Sequence, residues 1–378
     1  MMRIGVLGGG QLGRMLAEAG HPMGMEFDFL DPKPDACAAK RGRLIVGDWD
    51  DDQALARLGG CDRITFDFEN VPERVLRRLA RKSLVRPGPE ALAAAQDRAA
   101  EKQLFESLDI PVAAWATVDS RPDLLAAVER TGLPAVLKTR RMGYDGKGQE
   151  VLRDKEDLET AWQRIGGHPL VLEAFVPFEF ECAMSAVRSS TGDIRYYPLT
   201  RTLHENGILS LARGPLPNHE GSLGEQARAM LDRLASHLDY TGVLTLEFFV
   251  RNGALLANEM APRVHNSAHW TIEGTECSQF ENHLRAVADL PLGSTRAWSE
   301  SVMINWIGEV PDPADYLDVP GLSWHDYGKK PRLGRKVGHA TLVAPDRDGL
   351  EARLQQLQKC LPGALAGRIP RLLEPGQS

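Results

Sequence analysis

Short apolar segments alternate with segments of helical periodicity through the first hundred residues. Four apolar runs are expected to be buried strands: Arg3–Leu7, Glu26–Leu30, Leu44–Gly47 and Arg63–Phe68. Such an alternation of strands and helices is typical of an open α/β sheet. The segment Arg86-Pro87-Gly88-Pro89 interrupts it. We expect one long helix from Glu90 to Leu108, and we place the first domain boundary near residue 97.

Shorter elements then surround a glycine-rich loop. A helix (Pro122–Thr131) that ends at Gly132 precedes the strand Pro134–Lys138, and the loop Thr139–Gln149 follows. Later apolar or alternating runs predict further elements: strands at Val171–Val176 and Phe178–Val187, strands at Ile194–Thr200 and Ile208–Leu211 that flank His204, a strand at Val337–Val343, and a helix at Arg347–Leu357.

The segments Val243–Val250 and Ala254–Met260 predict a β-hairpin. Gly253 would provide the positive φ that its tight turn needs. Glu247 and Glu259 would then lie on two adjacent strands.

Two registers of this hairpin are open. If the loop is only Asn252-Gly253, Glu247 faces Asn258 and Glu259 points to the opposite side. If Arg251 joins a three-residue loop, the two glutamates share one face. Their repulsion then predicts a hard cation such as Mg²⁺ between them. A solvated hairpin with acidic residues on its wet side is the plainer alternative.

Composition excludes several classes of function. The 378 residues, 43% hydrophobic and 26% charged, are typical of a soluble globular protein with two or three domains. A net charge of −7 argues against nucleic acid as the main partner, because phosphate-backbone binding needs a basic surface. No apolar run could cross a membrane and no signal peptide is visible, so we expect a cytoplasmic protein. Five scattered cysteines indicate neither a disulfide framework nor a cysteine zinc site.

The first predicted strand leads into the glycine loop Gly8–Gly13, which matches the dinucleotide fingerprint G-x-G-x-x-G. Asp31 ends the second strand where a ribose-binding acid would stand, so an NAD-dependent dehydrogenase is one hypothesis. Backbone amides at a helix N-terminus hold any phosphate, so a phosphorylated metabolite fits equally well. A strand-to-helix turn without a ligand is the third reading. Glu69 lies at another strand end, where ligands of open α/β sheets bind.

Two cationic loops are candidates for binding anions. The first, Lys138–Gln149, interleaves glycines with Lys138, Arg140, Arg141 and Lys147, which suits a flap over a polyphosphate. It lacks the Walker pattern, and a plain surface loop is the alternative. The second, Tyr327–Lys336, combines cations with turn residues and is a candidate anion clamp.

The cationic glycine flap, a strand glutamate pair and the two-glutamate hairpin together resemble the ATP-grasp superfamily. Within it they are similar to the enzymes that carboxylate 5-aminoimidazole ribonucleotide in purine biosynthesis. The resemblance spans nearly the whole chain and is most specific in five motifs: GGGQLGRML (8–16), KTRRMGYDGKGQ (138–149), PLTRTLHENGIL (198–209), NEMAPRVHNSAHWT (258–271) and GRKVGH (334–339).

The resemblance implies an α/β (α+β) architecture of the ATP-grasp type. Residues 1–97 would form an N-terminal Rossmann-like pre-ATP-grasp domain, and residues 98–290 the ATP-grasp central domain, with a lid at about 112–175. Residues 291–378 would form a small C-terminal domain. A homodimer is also expected.

The resemblance further implies an ATP site between the central domains. Its residues would be Arg98, Lys138, Gly143, Tyr144, Asp145, Gly146, Lys147, Gly148, Gln149, Glu173, Ala174, Phe175, Val176, Glu181, His204, Asn258 and Glu259. Mg²⁺, with Mn²⁺ as the alternative ion, would bind to Glu247 and Glu259. That assignment agrees with the three-residue hairpin loop.

The implied reaction joins bicarbonate to 5-aminoimidazole ribonucleotide at the expense of ATP. Bicarbonate would attack the γ-phosphate to give carboxyphosphate, and the exocyclic amine would then take the carboxyl group. The ribonucleotide residues would be Gln11, Leu12, Glu69, Tyr144, Asp145, Lys147, Arg263, His265, Asn266, Ser267, Lys329, Arg335 and Lys336. Asp145, Arg263 and Lys329 are the catalytic candidates, with Asp145 as a hypothetical general base.

The sequence departs from the family pattern at one position, and other functions compete with this interpretation. Lys147 stands where some relatives carry arginine, so a bidentate phosphate contact is lost there. His265 and His269 are four residues apart, but H-E-x-x-H is absent and a zinc site is not expected. The competing functions are another ATP-grasp ligase, such as formate-dependent glycinamide ribonucleotide transformylase, the NAD-dependent dehydrogenase, and a nucleotide-binding module without catalysis.

Overall fold

The computed structural model describes residues 1–143, 148–217 and 221–374. The chain begins with a four-stranded parallel sheet of order β3-β2-β1-β4. Its strands are β1 (Arg3–Leu7), β2 (Glu26–Asp31), β3 (Arg43–Val46) and β4 (Arg63–Phe66), with helices α1 (Gln11–Gly20), α2 (Asp52–Leu58) and α3 (Glu73–Ala80). The predicted open α/β sheet is therefore confirmed, with strand ends that differ by one or two residues.

The long helix predicted from Glu90 to Leu108 is wrong, because the chain breaks at Asp97. Helix α4 (Pro89–Gln96) ends there and α5 (Arg98–Ser107) begins. Asp97 is extended (φ −127°, ψ 113°), and its carboxylate caps α5 by accepting from the amides of Ala99 and Ala100. An aspartate that caps a helix stabilises its first turn, which favours two helices over one.

The second sheet is small and has the order β5-β8-β6-β7. It lies within the segment 112–175 that the resemblance predicts to be a lid, and we keep that name for it. Its elements are β5 (Trp115–Val118), α6 (Arg121–Thr131), β6 (Ala135–Thr139), β7 (Gln149–Leu152), α7 (Asp157–Ile165) and β8 (Leu170–Ala174). All three strand pairs are antiparallel. Gly132 ends α6 with a φ of 74°, as its position in the sequence indicates.

The third sheet has nine described strands and runs β14-β13-β9-β11-β12-β15-β17-β16, with β10 beside β9. Its elements are β9 (Phe180–Arg188), β10 (Ile194–Tyr196), β11 (Thr200–Glu205), β12 (Ile208–Gly214), α8 (Ser222–His237), β13 (Gly242–Arg251), β14 (Ala254–Ala261), α9 (Thr271–Gly274), α10 (Gln279–Val287), β15 (Glu300–Ile307), β16 (Leu322–Asp326), β17 (Lys336–Ala344), α11 (Arg347–Leu357), α12 (Gly363–Ala366) and α13 (Ile369–Leu373).

This large sheet changes two details of the predicted organisation. His204 lies within strand β11 rather than between two strands, because the predicted strand Ile194–Thr200 is split into β10 and β11. Strands β15 to β17 continue the same sheet as the hairpin strands, through the pairing of β12 with β15. The domain boundaries near residues 97 and 290 stay predictions. No helix in the described parts of the chain is long and apolar enough to cross a membrane.

A buried imidazole joins the N-terminal sheet to the large sheet. His283 on α10 is fully buried, and its Nε2 lies 2.8 Å from Oγ1 of Thr65 on β4. Its Nδ1 accepts a hydrogen bond of 3.1 Å from the amide of Val243 on β13. Because Nδ1 must be unprotonated to accept, this contact requires a neutral ring. Burial lowers the pKa of His283 to about 4.

Acid should therefore weaken the contact between these two sheets. An unfolded histidine titrates near 6.5, so the stability that neutral His283 contributes is complete above that pH and is lost as pH falls from 6.5 towards 4. We expect the free energy of unfolding in urea to decline over this range, by about 1.4 kcal/mol per pH unit for this group. His283→Gln should show a shallower decline, and an identical slope in both proteins would contradict the assignment.

Candidate active site

The hairpin of β13 and β14 turns through two residues. Arg251 pairs with Ala254, and the residues between them have left-handed backbones, with φ of 52° at Asn252 and 71° at Gly253. Asn-Gly is the sequence most favoured for such a turn, because both positions need positive φ. The three-residue loop that the resemblance favoured is therefore wrong.

A β-bulge nevertheless brings the two glutamates together. Phe248 pairs with Ala257, as the two-residue turn requires, but the next pair is Glu247 with Glu259. Asn258 is the extra residue, and a bulge of one residue moves every later side chain of that strand to the other face. Glu247 and Glu259 therefore share one face, as the three-residue loop would have required. A bulge at Asn258 produces this arrangement, and the loop length does not.

Burial and charge give the two carboxylates different proton affinities. Burial, with the nearby charges of Glu259 and Glu181, raises the pKa of Glu247. Burial also acts to raise that of Glu259, but Arg98 and Lys138 outweigh it and hold its pKa below the usual value. Arg98 donates a 2.9 Å hydrogen bond to Glu259. Glu259 is therefore firmly ionised, whereas Glu247 needs a further cation nearby to favour its ionised form.

The residues around the pair fit Mg²⁺. The Oδ1 atom of Asn258 is buried without a hydrogen-bond partner among the described residues, which leaves an oxygen beside the two carboxylates. Within the described ranges no group of three or more His, Cys, Asp and Glu could hold a metal by itself. Mg²⁺ commonly binds through one or two carboxylates together with substrate phosphates and waters. The site therefore suits an Mg²⁺ ion that takes some of its oxygen ligands from these side chains and the rest from a bound nucleotide and water.

Lysines from two different elements meet at the carboxylate of Glu173 on β8. The Nζ atoms of Lys138 and Lys102 lie 3.1 Å and 3.3 Å from its Oε2. Burial opposes its ionisation, yet these lysines and Arg98 lower the pKa of Glu173 to about 2. Its Oε1 is buried without a partner in the described structure, and Phe175 two residues later is 45% exposed.

His204 and Glu181, on the neighbouring strands β11 and β9, form the next predicted pair. The Nδ1 atom of His204 lies 3.0 Å from Oε2 of Glu181. Burial lowers the pKa of His204, but the bond to Glu181 and the charge of Glu247 reverse this and raise it to about 9. His204 is therefore a cation at neutral pH, beside the paired glutamates.

A second group of predicted residues surrounds the segment after β14. Arg263 binds Glu69 at 2.8 Å, and Nδ1 of His265 lies 2.8 Å from Oγ of Ser267. The Nε2 atom of His265 lies 3.5 Å from Glu247, so this segment adjoins the paired carboxylates directly. Burial lowers the pKa of His265 well below its usual value, which keeps the ring neutral.

The C-terminal cations approach the N-terminal glycine loop. Lys329 donates hydrogen bonds to Oε1 of Gln11 and to the carbonyl of Lys336, the latter at 3.3 Å. Burial lowers the pKa of Lys329 to about 8, and the charges of Arg335 and Lys336 add to that effect. Helix α1 begins at Gln11 without a side-chain cap, so the amides of Gln11 and Leu12 have no partner within the helix.

Carboxylates occupy the glycine loop itself. Asp31 accepts the amide of Gly9 at 2.8 Å, and Asp67 accepts those of Gly10 and Gly13 at 2.7 and 2.9 Å. These are amides that a dinucleotide pyrophosphate would need. Asp31 is the acid that a dehydrogenase would use for ribose, so both requirements of that hypothesis are unmet.

Sequence reasoning missed four buried residues of this region: Asp67, Glu101, Lys102 and Asn305. Asn305 exchanges two hydrogen bonds with Asn266, of 3.0 and 2.6 Å. Lys102 could have been found, because it shares a helical stripe with the apolar residues Ala99 and Phe105. The predicted residues Tyr144, Asp145, Gly146 and Lys147 lie outside the described residues.

The lid beside a sheet with paired glutamates is the arrangement of the ATP-grasp class. Residues 103–280 match the family model of the ATP-grasp domain, and residues 1–96 that of the ribonucleotide synthetase preATP-grasp domain. Residues 301–353 match the phosphoribosylaminoimidazole carboxylase C-terminal domain. The predicted fold class is thereby confirmed.

Comparison with individual proteins shows to which family within the ATP-grasp class the chain belongs. The chain is 51% identical to the N5-carboxyaminoimidazole ribonucleotide synthase of Pseudomonas aeruginosa, over 94% of this chain and 99% of that one. The synthetase structure from Thermus thermophilus has a TM-score of 0.91 at 49% identity, over 95% and 98% of the two chains. An Aspergillus clavatus synthase in complex with ADP and 5-aminoimidazole ribonucleotide has a TM-score of 0.87 at 28% identity, over 97% and 99%. The chain belongs to the family of N5-carboxyaminoimidazole ribonucleotide synthases.

The occupied glycine loop predicts that the protein does not bind NADH. Titration with NADH, followed by its fluorescence, should show no saturation up to about 1 mM, since the loop amides already have partners. ADP should bind in a parallel titration with a fluorescent analogue. Saturation by NADH at micromolar concentration would contradict this reading of the loop.

Proposed function

We infer that this chain catalyses the ATP-dependent carboxylation of 5-aminoimidazole ribonucleotide to N5-carboxyaminoimidazole ribonucleotide in purine biosynthesis. The observation that carries the inference is the position of the segment Arg263–Ser267, which follows directly from the bulged strand β14 and contacts Glu247 through His265. One short piece of chain thus contains four of the predicted ribonucleotide residues and also adjoins the paired glutamates. The relative from Aspergillus clavatus, which binds ADP and 5-aminoimidazole ribonucleotide together, supports the same pairing of ligands.

On this proposal ATP lies between the lid and the hairpin. Lys138 and Arg98 bring positive charge to the phosphates, and both already contact carboxylates at the site. Glu247 and Glu259, with the free Oδ1 of Asn258, would hold Mg²⁺. When bound, that ion would neutralise charge on the β- and γ-phosphate oxygens.

The second reactant is bicarbonate. An oxygen of bicarbonate attacks the γ-phosphorus, the bond to the β-phosphate oxygen breaks, and ADP and carboxyphosphate form. The exocyclic amine then attacks the carboxyl carbon, inorganic phosphate leaves, and the amine loses a proton. Because bicarbonate is a poor nucleophile, the protein acts mainly by alignment and by neutralising the developing charge. Asp145 as the base that takes the proton stays a hypothesis.

The ribonucleotide would occupy the corner between α1, the segment after β14 and the C-terminal cations. Lys329, Arg335, Lys336 and the first two amides of α1, those of Gln11 and Leu12, suit its phosphate. Arg263, fixed by Glu69, suits the reacting end. The homodimer that the resemblance implies and the cytoplasmic location expected from the sequence also stay predictions.

Removing one metal carboxylate tests the proposal. Glu259→Gln keeps the shape of the side chain but removes the charge that pairs with Arg98. We expect turnover to fall by at least about a hundredfold, measured as ADP released in the presence of ribonucleotide and bicarbonate. Glu276→Gln changes a glutamate that pairs with Arg296 at the surface and should retain full activity. Equal activity of Glu259→Gln and wild type, or stimulation by formate instead of bicarbonate, would refute the proposal.

Lys329 should make ribonucleotide binding depend on pH. With a pKa of about 8 it is protonated below that pH and loses its charge above it. We expect KM for the ribonucleotide to rise as pH increases from 7 to 9, while KM for ATP changes little. Lys329→Arg carries a permanent charge and should flatten the profile. A wild-type KM that is constant across this range would contradict a phosphate contact at Lys329.

A further inference from the structure

Three side chains on one face of helix α5 hold three successive residues of strand β14. Arg98, Glu101 and Lys102 stand at positions i, i+3 and i+4, which places them side by side on a helix. They bind residues 259, 260 and 258 of the strand. We refer to these three residues as the α5 clamp.

Two members of the clamp bind backbone groups at the bulge. The Nζ atom of Lys102 donates to the carbonyl of Asn258 at 2.8 Å, and Oε1 of Glu101 accepts the amide of Met260 at 2.7 Å. Strand β14 lies at the edge of the large sheet, and on its outer side the amide of Ala257 donates to the carbonyl of Pro111 at 2.7 Å. The next groups on that side, the carbonyl of Asn258 and the amide of Met260, are bound by Lys102 and Glu101 instead. The clamp therefore satisfies buried backbone groups that would otherwise lack partners.

The bulge is not required by the turn. After the Asn252-Gly253 loop, a regular ladder would continue with Glu247 opposite Asn258, and Glu259 would face the other side. Lys102 and Glu101 bind the residues immediately before and after Glu259, at the point where the register changes. Their bonds stabilise the bulged register against the regular one.

Burial makes these contacts specific rather than incidental surface pairs. Lys102 is 1% exposed and Glu101 is 2% exposed. A long cationic side chain is rarely buried so completely unless its ammonium group has fixed partners. Lys102 has two of them, the carbonyl of Asn258 and the carboxylate of Glu173 in the lid.

We propose that Glu101 and Lys102 are positioning residues that hold the β14 bulge and so keep Glu247 and Glu259 on one face for the divalent cation. This inference rests on the proposed function, because that function supplies the cation. Neither residue needs to touch the nucleotide for the effect, since each acts through the backbone of the strand that carries Glu259.

Binding of Mn²⁺ in the presence of ADP, followed by electron paramagnetic resonance, tests the proposal without measuring turnover. Glu101→Leu and Lys102→Met should each weaken Mn²⁺ binding at least tenfold relative to wild type. Glu101→Gln should bind within about twofold of wild type, because its amide oxygen can still accept the Met260 amide. Gln103→Met changes an exposed residue of the same helix and should also match wild type.

A second measurement separates positioning from a general effect on the nucleotide site. The hydrogen bond of Glu101 goes to the backbone of β14 and not to Glu173 or the lid, so Glu101→Leu should bind ADP within about threefold of wild type when metal is chelated. Lys102→Met tests the other side of the bulge, so the proposal does not depend on one variant folding. Wild-type Mn²⁺ affinity in Glu101→Leu or Lys102→Met overturns this proposal alone. Absence of Mn²⁺ binding to the wild type overturns the proposed metal site as well.

Discussion

One extra residue in strand β14 places Glu247 and Glu259 on the same face, which the proposed metal site requires. The Asn252-Gly253 turn sets a regular ladder that would separate Glu247 from Glu259, and the bulge at Asn258 reverses the faces before Glu259 is reached. Unpaired buried backbone groups are costly, so such a bulge persists only where other elements supply partners. Helix α5 supplies them, and that helix begins at Arg98 because the carboxylate of Asp97 caps its first turn.

Charge balance connects this hairpin to the rest of the site. Arg98 neutralises Glu259, and Lys138 and Lys102 share Glu173 in the lid. His204, cationic through Glu181, stands beside Glu247. Past the hairpin, His265 contacts Glu247 while Arg263 reaches Glu69 in the N-terminal part of the chain. Polar contacts that are buried or partly buried thus link the residues proposed to bind the nucleotide to those proposed to bind the ribonucleotide.

Some of this could be predicted from the sequence and some could not. The strands of the first sheet follow from short apolar runs, and the turn follows from Asn-Gly, since both signals are local. The bulge at Asn258 has no local signal, because it depends on Lys102 and Glu101, which lie more than 150 positions away in the chain. For the same reason the glycine loop was misleading. Its fingerprint is local, but Asp67, which occupies the amides of Gly10 and Gly13, comes from a distant strand end.

We propose that Glu247 and Glu259 jointly bind one divalent cation through the bulged register. Anomalous diffraction from a crystal grown with ADP and Mn²⁺ measures this directly. We expect a manganese peak bonded to both carboxylates and to nucleotide phosphate, with Asn258 still the unpaired residue of β14. A peak bonded to only one of the two glutamates, or a hairpin in which Glu247 pairs with Asn258, would contradict it.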